Sequence, residues 1–164
     1  MRNTAIILFL TIIILSCSND NLVFDTYKSM PNSEWHKDSI VRFEFNPIDT
    51  VSKNKIYINL RNNNDYAYSN LFLIVGIDFP NNYKVVDTLE YEMADVEGKF
   101  LGEGFTDLKE NKLEFKTNVN FPSSGTYKIS IQQAMRKSGD VDGIKALEGV
   151  TDVGLQIEKM TTND

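Results

Sequence analysis

Val41-Arg42-Phe43-Glu44-Phe45 and Ile56-Tyr57-Ile58-Asn59-Leu60 place an apolar side chain at every second position. That period of two belongs to a strand with one face buried and one in water, because successive side chains of extended backbone point to opposite sides. Working outward, Tyr83 to Tyr91, Leu113 to Val119, Tyr127 to Ile131 and Val153 to Ile157 keep the alternation. Leu71 to Phe79 is almost continuously apolar, which predicts a central strand covered on both faces. Turn-forming clusters punctuate these runs: Asn62 to Asp65, Pro80-Asn81-Asn82, Lys109-Glu110-Asn111 and Pro122 to Gly125. About eight strands with such punctuation predict an all-β chain, an antiparallel β-sandwich. The stretch from Gln133 to Leu147 is the one helical candidate, and its glycines favour a loop with a helical turn.

The front of the chain reads differently. Arg2 precedes an apolar run from Ala5 to Leu15, broken by Thr11 and ending at Ser16-Cys17. The run is too short to span a bilayer, and its basic start and small final residue describe a secretory leader. With Cys17 directly after Ser16, the segment resembles the lipobox of bacterial lipoproteins, in which the cysteine becomes the lipidated N-terminus of the mature chain. The expected organisation is a signal peptide over residues 1–16, the lipidated cysteine and a short tether over 17–24, and one sandwich domain over 25–164. Several acyl chains, palmitate among them, would tether the domain to a membrane without spanning it. Ser18 is not the aspartate that retains some lipoproteins at the inner membrane, and no lysine followed by paired acids marks surface export. Both point to the outer membrane, facing the periplasm.

The 164 residues comprise 41% hydrophobic and 24% charged residues, a composition that fits a single globular domain. Net charge is −6, and one unit more negative without Arg2, so nucleic acid is not an expected partner. One cysteine allows no internal disulfide, and lipidation would remove it from nucleophilic chemistry. His36 is the only histidine and lies beside the only tryptophan, Trp35, so no two-histidine metal site or serine–histidine–aspartate arrangement can be assembled with more than one imidazole. A surface or strand-edge position is the better expectation for His36.

Gly98, Gly102 and Gly104 have the wrong spacing for a phosphate loop and read as a hairpin or bulge. Asp140-Val141-Asp142-Gly143 fits the middle of a calcium loop, but the loop would begin at Ser138 and end at Gly149, without its terminal carboxylate, so a turn is expected. Glu90 and Glu92 share a strand face and read as solvated. No catalytic residue, metal ligand or cofactor is predicted, and the chain does not read as an enzyme. Asp38-Ser39-Ile40, Asp49-Thr50-Val51 and Asp87-Thr88-Leu89 resemble the O-glycosylation sequon of Bacteroidetes envelope proteins.

Longer blocks carry a more specific likeness. Trp35 through Asp38 leading to Phe43-Glu44-Phe45, Leu60-Arg61-Asn62 followed by Tyr66 to Leu71, and Asp87-Thr88-Leu89 through Gly98 to Gly102 are three of them. Gly125-Thr126-Tyr127 with Gln133 to Arg136, and Gly149 to Lys159, complete the set. Together the chain resembles the GldH family of gliding-motility lipoproteins of Bacteroidetes. That resemblance implies a lipoprotein needed for gliding, a non-enzymatic assembly or stability component working with other envelope lipoproteins associated with the type nine secretion machinery. It carries over one residue, Cys17, as the lipid attachment. Tyr66-Ala67-Tyr68 and Gln132 to Arg136 are the candidate partner face, against the simpler reading that the tyrosines cap the core. The alternative function is a module binding peptidoglycan or another glycan, with Trp35, Tyr66 and Tyr68 as stacking platforms.

Overall fold

The computed structural model describes residues 21–104, 106–137 and 139–161. The leader, Cys17, Ser18 and the first part of the tether lie outside the described residues, as do Phe105 and Ser138.

Ten strands follow in order: β1 (Leu22–Ser29), β2 (Glu34–His36), β3 (Val41–Phe45), β4 (Asn54–Asn62), β5 (Asn70–Asp78), β6 (Lys84–Glu92), β7 (Lys109–Val119), β8 (Tyr127–Gln133), β9 (Ala146–Glu148) and β10 (Val150–Lys159). Two four-stranded sheets, ordered β1-β10-β4-β7 and β3-β8-β5-β6, carry a two-stranded ribbon of β2 and β9. Every pairing is antiparallel. The fold is the expected all-β sandwich, with ten strands among the described residues against an expected eight or so.

The alternation sets the core. Ile56, Ile58 and Leu60 of β4 with Val153, Leu155 and Ile157 of β10 line one sheet's inner face. Val41, Phe43 and Phe45 of β3 with Ile129 and Ile131 of β8 line the other. Such inward rows bury apolar surface at roughly 25 cal/mol per Å2, the main favourable contribution to folding. Phe24 closes one side by meeting Phe43 and Phe45 at ring distances of 6.4 and 5.8 Å. On the other side the Lys116 ammonium lies 2.6 Å from Asp87, and the Tyr91 hydroxyl donates to the Glu114 carbonyl. Asp87 shares its strand face with Val85, Leu89 and Tyr91, and an inward charge on edge strand β6 discourages addition of a foreign strand.

Four local expectations need correction. β5 is interior to its sheet, yet only Leu71, Leu73, Val75 and Ile77 face the core, while Ile74 is exposed and Phe72 half-buried. An apolar run therefore marked a strand with paired edges on both sides, not one with both faces covered. Lys109-Glu110-Asn111 is no turn but the start of β7, where Asn111 is buried and donates to the Leu60 carbonyl and Asn62 Oδ1. From Gln133 to Leu147 no helical turn occurs among the described residues; a bridge between Arg136 and Gly143 folds the segment back into β9. Strand β1 opens at Leu22, opposite Glu158, so residues 22–24 pair in the sheet although the sequence reading leaves them in the tether.

Candidate functional site

The residues singled out from sequence do not converge. Trp35 is fully buried in β2, and its Nε1 donates to the Ser39 carbonyl at 2.8 Å. Tyr66 is buried too, its hydroxyl donating to the Asn70 carbonyl, with Tyr68 packed edge-on at 5.9 Å. Neither ring can stack on a sugar, so the glycan-binding alternative loses two of its three platforms. The tyrosines cap the core, the simpler of the two readings.

The second half of the candidate partner face fails for the same reason. Gln133 and Met135 are buried, and Gln133 Nε2 donates to the Ile144 carbonyl while its Oε1 accepts from the Met135 amide. Gln132 Nε2 donates to the Lys37 carbonyl, which leaves Arg136 as the exposed residue of that stretch. These amides fasten the long β8–β9 connection to the sheet; they do not present a surface.

His36 stands exposed on the β2–β9 ribbon, its Nδ1 3.6 Å from an Asp38 carboxylate oxygen. Gly98, at φ 82°, closes a turn in which Asp95 Oδ1 accepts from the Glu97 and Lys99 amides, as the hairpin reading expects. The Asp140 amide donates to the Lys137 carbonyl in a turn, and among the described residues no group of three histidine, cysteine or acidic side chains is placed to hold a metal ion. Glu90 and Glu92 are both exposed on β6. In the three sequon-like triplets, Ser39 and Thr88 are exposed and Thr50 half-buried.

What sequence reasoning missed is a polar array on the outer face of the β1-β10-β4-β7 sheet. Antiparallel register aligns Tyr27 with Gly154 and Gly154 with Asn59, then Arg61 with Glu110. Gly154 has no side chain, and a Cβ there would lie 2.7 Å from the Tyr27 ring, so the glycine lets the ring lie flat across the sheet. The Tyr27 hydroxyl donates to Glu110 Oε1 at 2.7 Å and accepts from Asn59 Nδ2 at 2.9 Å. Arg61 Nε donates to Glu110 Oε2 at 2.7 Å, and its guanidinium stacks 4.1 Å above the Tyr27 ring. One strand pair along, Lys112 meets Glu158 at 2.8 Å and lies 4.2 Å over the Tyr57 ring. Local sequence holds no signal for this array, because its members come from four strands.

Electrostatics follow the geometry. Burial and the hydrogen bond to Glu110 push the Tyr27 phenol up to about 12. Desolvation pushes the Glu110 carboxyl upward, but hydrogen bonds from Tyr27 and Arg61 outweigh it and leave it below its ordinary value. The hydrogen bond to Glu110 raises Arg61. Burial also raises Tyr66, and it takes Tyr91 to about 12. The hydrogen bonds among Tyr27, Arg61 and Glu110 fix a surface.

A testable consequence lies at high pH. An unfolded chain ionises its tyrosines near 10, so above that pH it binds fewer protons than the folded chain, and stability falls as pH rises toward about 12. The urea midpoint is expected to drop steadily through that window, with a shallower drop in Tyr27→Phe. A midpoint that holds constant there would contradict the raised tyrosines.

The GldH lipoprotein family model matches residues 22–157, the span from the first residue of β1 into β10. A protein of Christiangramia forsetii named as a gliding motility lipoprotein GldH homolog is 56% identical over 153 residues, covering 93% of each chain. The gliding motility lipoprotein GldH of Flavobacterium johnsoniae is 48% identical over 159 residues, covering 97% of this chain and 98% of its own. Among solved structures, the infectious bursal disease virus VP2 subviral particle aligns at TM-score 0.40 and 16% identity over 91% of this chain and 35% of that one, a likeness too slight to carry weight. On the match across residues 22–157 and the 56% and 48% identity to these relatives over nearly the full chain, the chain belongs to the GldH lipoprotein family.

Proposed function

We propose that this chain is a lipid-anchored envelope protein required for gliding motility, acting as a non-enzymatic assembly or stability component beside the type nine secretion apparatus. The observation that carries the reading is its identity, along more than nine-tenths of its length, to two proteins named for gliding motility. Cys17 is the lipid attachment in this reading. The outer membrane, on its periplasmic side, is the location, and other envelope lipoproteins are the partners.

Among the described residues the buried polar ones, Asn54, Asn59, Asn62, Asn111 and Gln133, are all amides. They fasten strands and loops by neutral hydrogen bonds. The polar array around Tyr27, Arg61 and Glu110 offers what a protein partner can use, since tyrosine and arginine dominate binding energy at interfaces and here both are held in place beforehand.

The test is colony spreading of a clean deletion in a gliding host, complemented with the wild-type chain or with Cys17→Ala. Spreading is expected to vanish on deletion and to return only with the lipidated chain. Undiminished spreading of the deletion strain rejects the motility role; full rescue by Cys17→Ala rejects the anchor's part in it.

A further inference from the structure

We infer that the end of the sandwich at which β1 begins rests on the bilayer holding the chain's own lipid, with Ile48 and Val51 entering the headgroup layer. The inference rests on the reading of Cys17 as the anchor. β1 starts at Leu22, five residues beyond Cys17. That length of chain reaches at most about 18 Å even when fully extended. The end of the domain bearing Leu22 is therefore held close to the membrane surface.

Register shows which loops share that end. Leu22 pairs with Glu158, Asn54 with Lys159 and Val119, Phe45 with Tyr127, and Asp78 with Lys128. The connections 46–53, 79–83 and 120–126 accordingly gather beside the start of β1. From the first of them Ile48 projects fully exposed and Val51 nearly so, and Leu22 and Val23 are exposed alongside. Leu22, Val23, Phe24, Phe45, Pro47 and Ile48 line a groove of about 400 Å3 between strand and loop.

The loop bearing the two aliphatic residues is firmly built. Asp49 Oδ1 accepts from the Val51 and Ser52 amides, both at 2.9 Å. Its Oδ2 accepts from Ser52 Oγ at 2.6 Å and from Lys159 Nζ at 2.8 Å. A carboxylate with four donors holds Ile48 and Val51 outward and has its charge offset by the lysine.

Single exposed aliphatic residues are ordinary, and Val96, Leu101, Leu108 and Val141 also stand exposed at the opposite end. There, however, Val96 lies between Asp95 and Glu97, and Val141 between Asp140 and Asp142. At the anchor end Asp49 is the one acidic residue in the three connections, and Lys159 is on it. A chain of net charge −6 thus turns its acidic loops away from lipid phosphate and its uncharged aliphatic tips toward it. Apolar side chains at such a boundary bury in the interfacial region, as they do on monotopic anchors.

The test uses the full lipidated protein in phosphatidylethanolamine–phosphatidylglycerol vesicles, with tryptophan introduced as Ile48→Trp or Val51→Trp. Val96→Trp and Val141→Trp serve as the opposite-end controls, and the native Trp35, being buried, gives a constant background. With nitroxide-labelled phospholipid, emission from positions 48 and 51 is expected to shift to shorter wavelength and lose most of its intensity, while positions 96 and 141 stay at the wild-type level. Adding Val51→Asp to Ile48→Trp should reduce that quenching. Flotation with the vesicles but equal quenching at both ends overturns the seating alone. Failure to float overturns the anchor reading, and the seating with it.

Discussion

Gly149→Ala is expected to cost about 2–5 kcal/mol of folding stability, combining roughly 1–2 kcal/mol for a left-handed backbone with roughly 1–3 for overpacking. Gly149 lies between β9 and β10 with φ at 82°. Any Cβ would fall 2.1 Å from the Tyr66 amide nitrogen and 2.6 Å from its Cα. Neither partner has room to retreat. The Gly149 amide donates to the Ser33 carbonyl at 2.9 Å, and its carbonyl accepts from the Asn63 amide at 2.8 Å. Tyr66 is held in turn by its buried ring and its hydroxyl bond to Asn70.

Gly98→Ala supplies the control, for Gly98 has the same φ of 82° and nothing within 4 Å of the added methyl. It should show the backbone cost by itself, about 1–2 kcal/mol. Urea denaturation of the two variants separates strain from collision. Equal losses would mean that the Gly149–Tyr66 contact is looser in solution than its geometry requires. Since a domain of this kind has about 5–15 kcal/mol in hand, the alanine at 149 would also lower the amount of folded protein in cells.

Trp35→Ala should cost a further class of stability, about 3–5 kcal/mol, through a cavity where the indole fills the space beneath the β2–β9 ribbon. Trp35 is fully buried, pairs across the ribbon with Leu147, and fixes the following turn through its bond to the Ser39 carbonyl. Three supports fail together: apolar burial, packing of Leu147, and the indole hydrogen bond to the Ser39 carbonyl. A fall in Tm on the order of 10 °C follows for a domain of this size. Val141→Ala, at an exposed position, should stay within about 0.5 kcal/mol of wild type. Were Trp35→Ala as mild as that, the ribbon would be an appendage and not part of the core.

Trp35 also shows where a one-dimensional reading stops. An aromatic beside the only histidine reads equally well as a binding platform or as core, because the same ring serves both and its neighbours in sequence are polar either way. Tyr66 and Tyr68 posed the same choice, and their contacts with Asn70 and with each other settle it toward the core. The Tyr27–Arg61–Glu110 array was beyond reach for a different reason. Its bonds join residues separated by 83 positions in one case and 49 in another, and nothing in any single strand announces the partner.

The strands that were legible, Val41 to Phe45, Ile56 to Leu60 and Tyr127 to Ile131, each bury one face, which writes a period of two into adjacent residues. β1 escaped because Phe24 is half-buried while Thr26 and Lys28 on the same face are polar and exposed, and β2 and β9 because three residues are too few for a period. Lys109 to Asn111 misled for a related reason: asparagine and lysine favour turns locally, yet Asn111 is kept in the strand by its bonds to Leu60 and Asn62.

By itself the sequence determined that this protein is built of antiparallel strands, that its front resembles a lipoprotein leader ending at Cys17, and which family its residue blocks match. Those properties depend on neighbouring residues and their order. The tertiary structure alone decided the strand order, the burial of Trp35 and Tyr66, the close approach of Gly149 to Tyr66, and the gathering of Ile48, Val51 and Leu22 at one end. Each of these depends on which distant segments meet, and that choice is made by the cooperative burial of the whole core, where the free energy of one pairing depends on all the others.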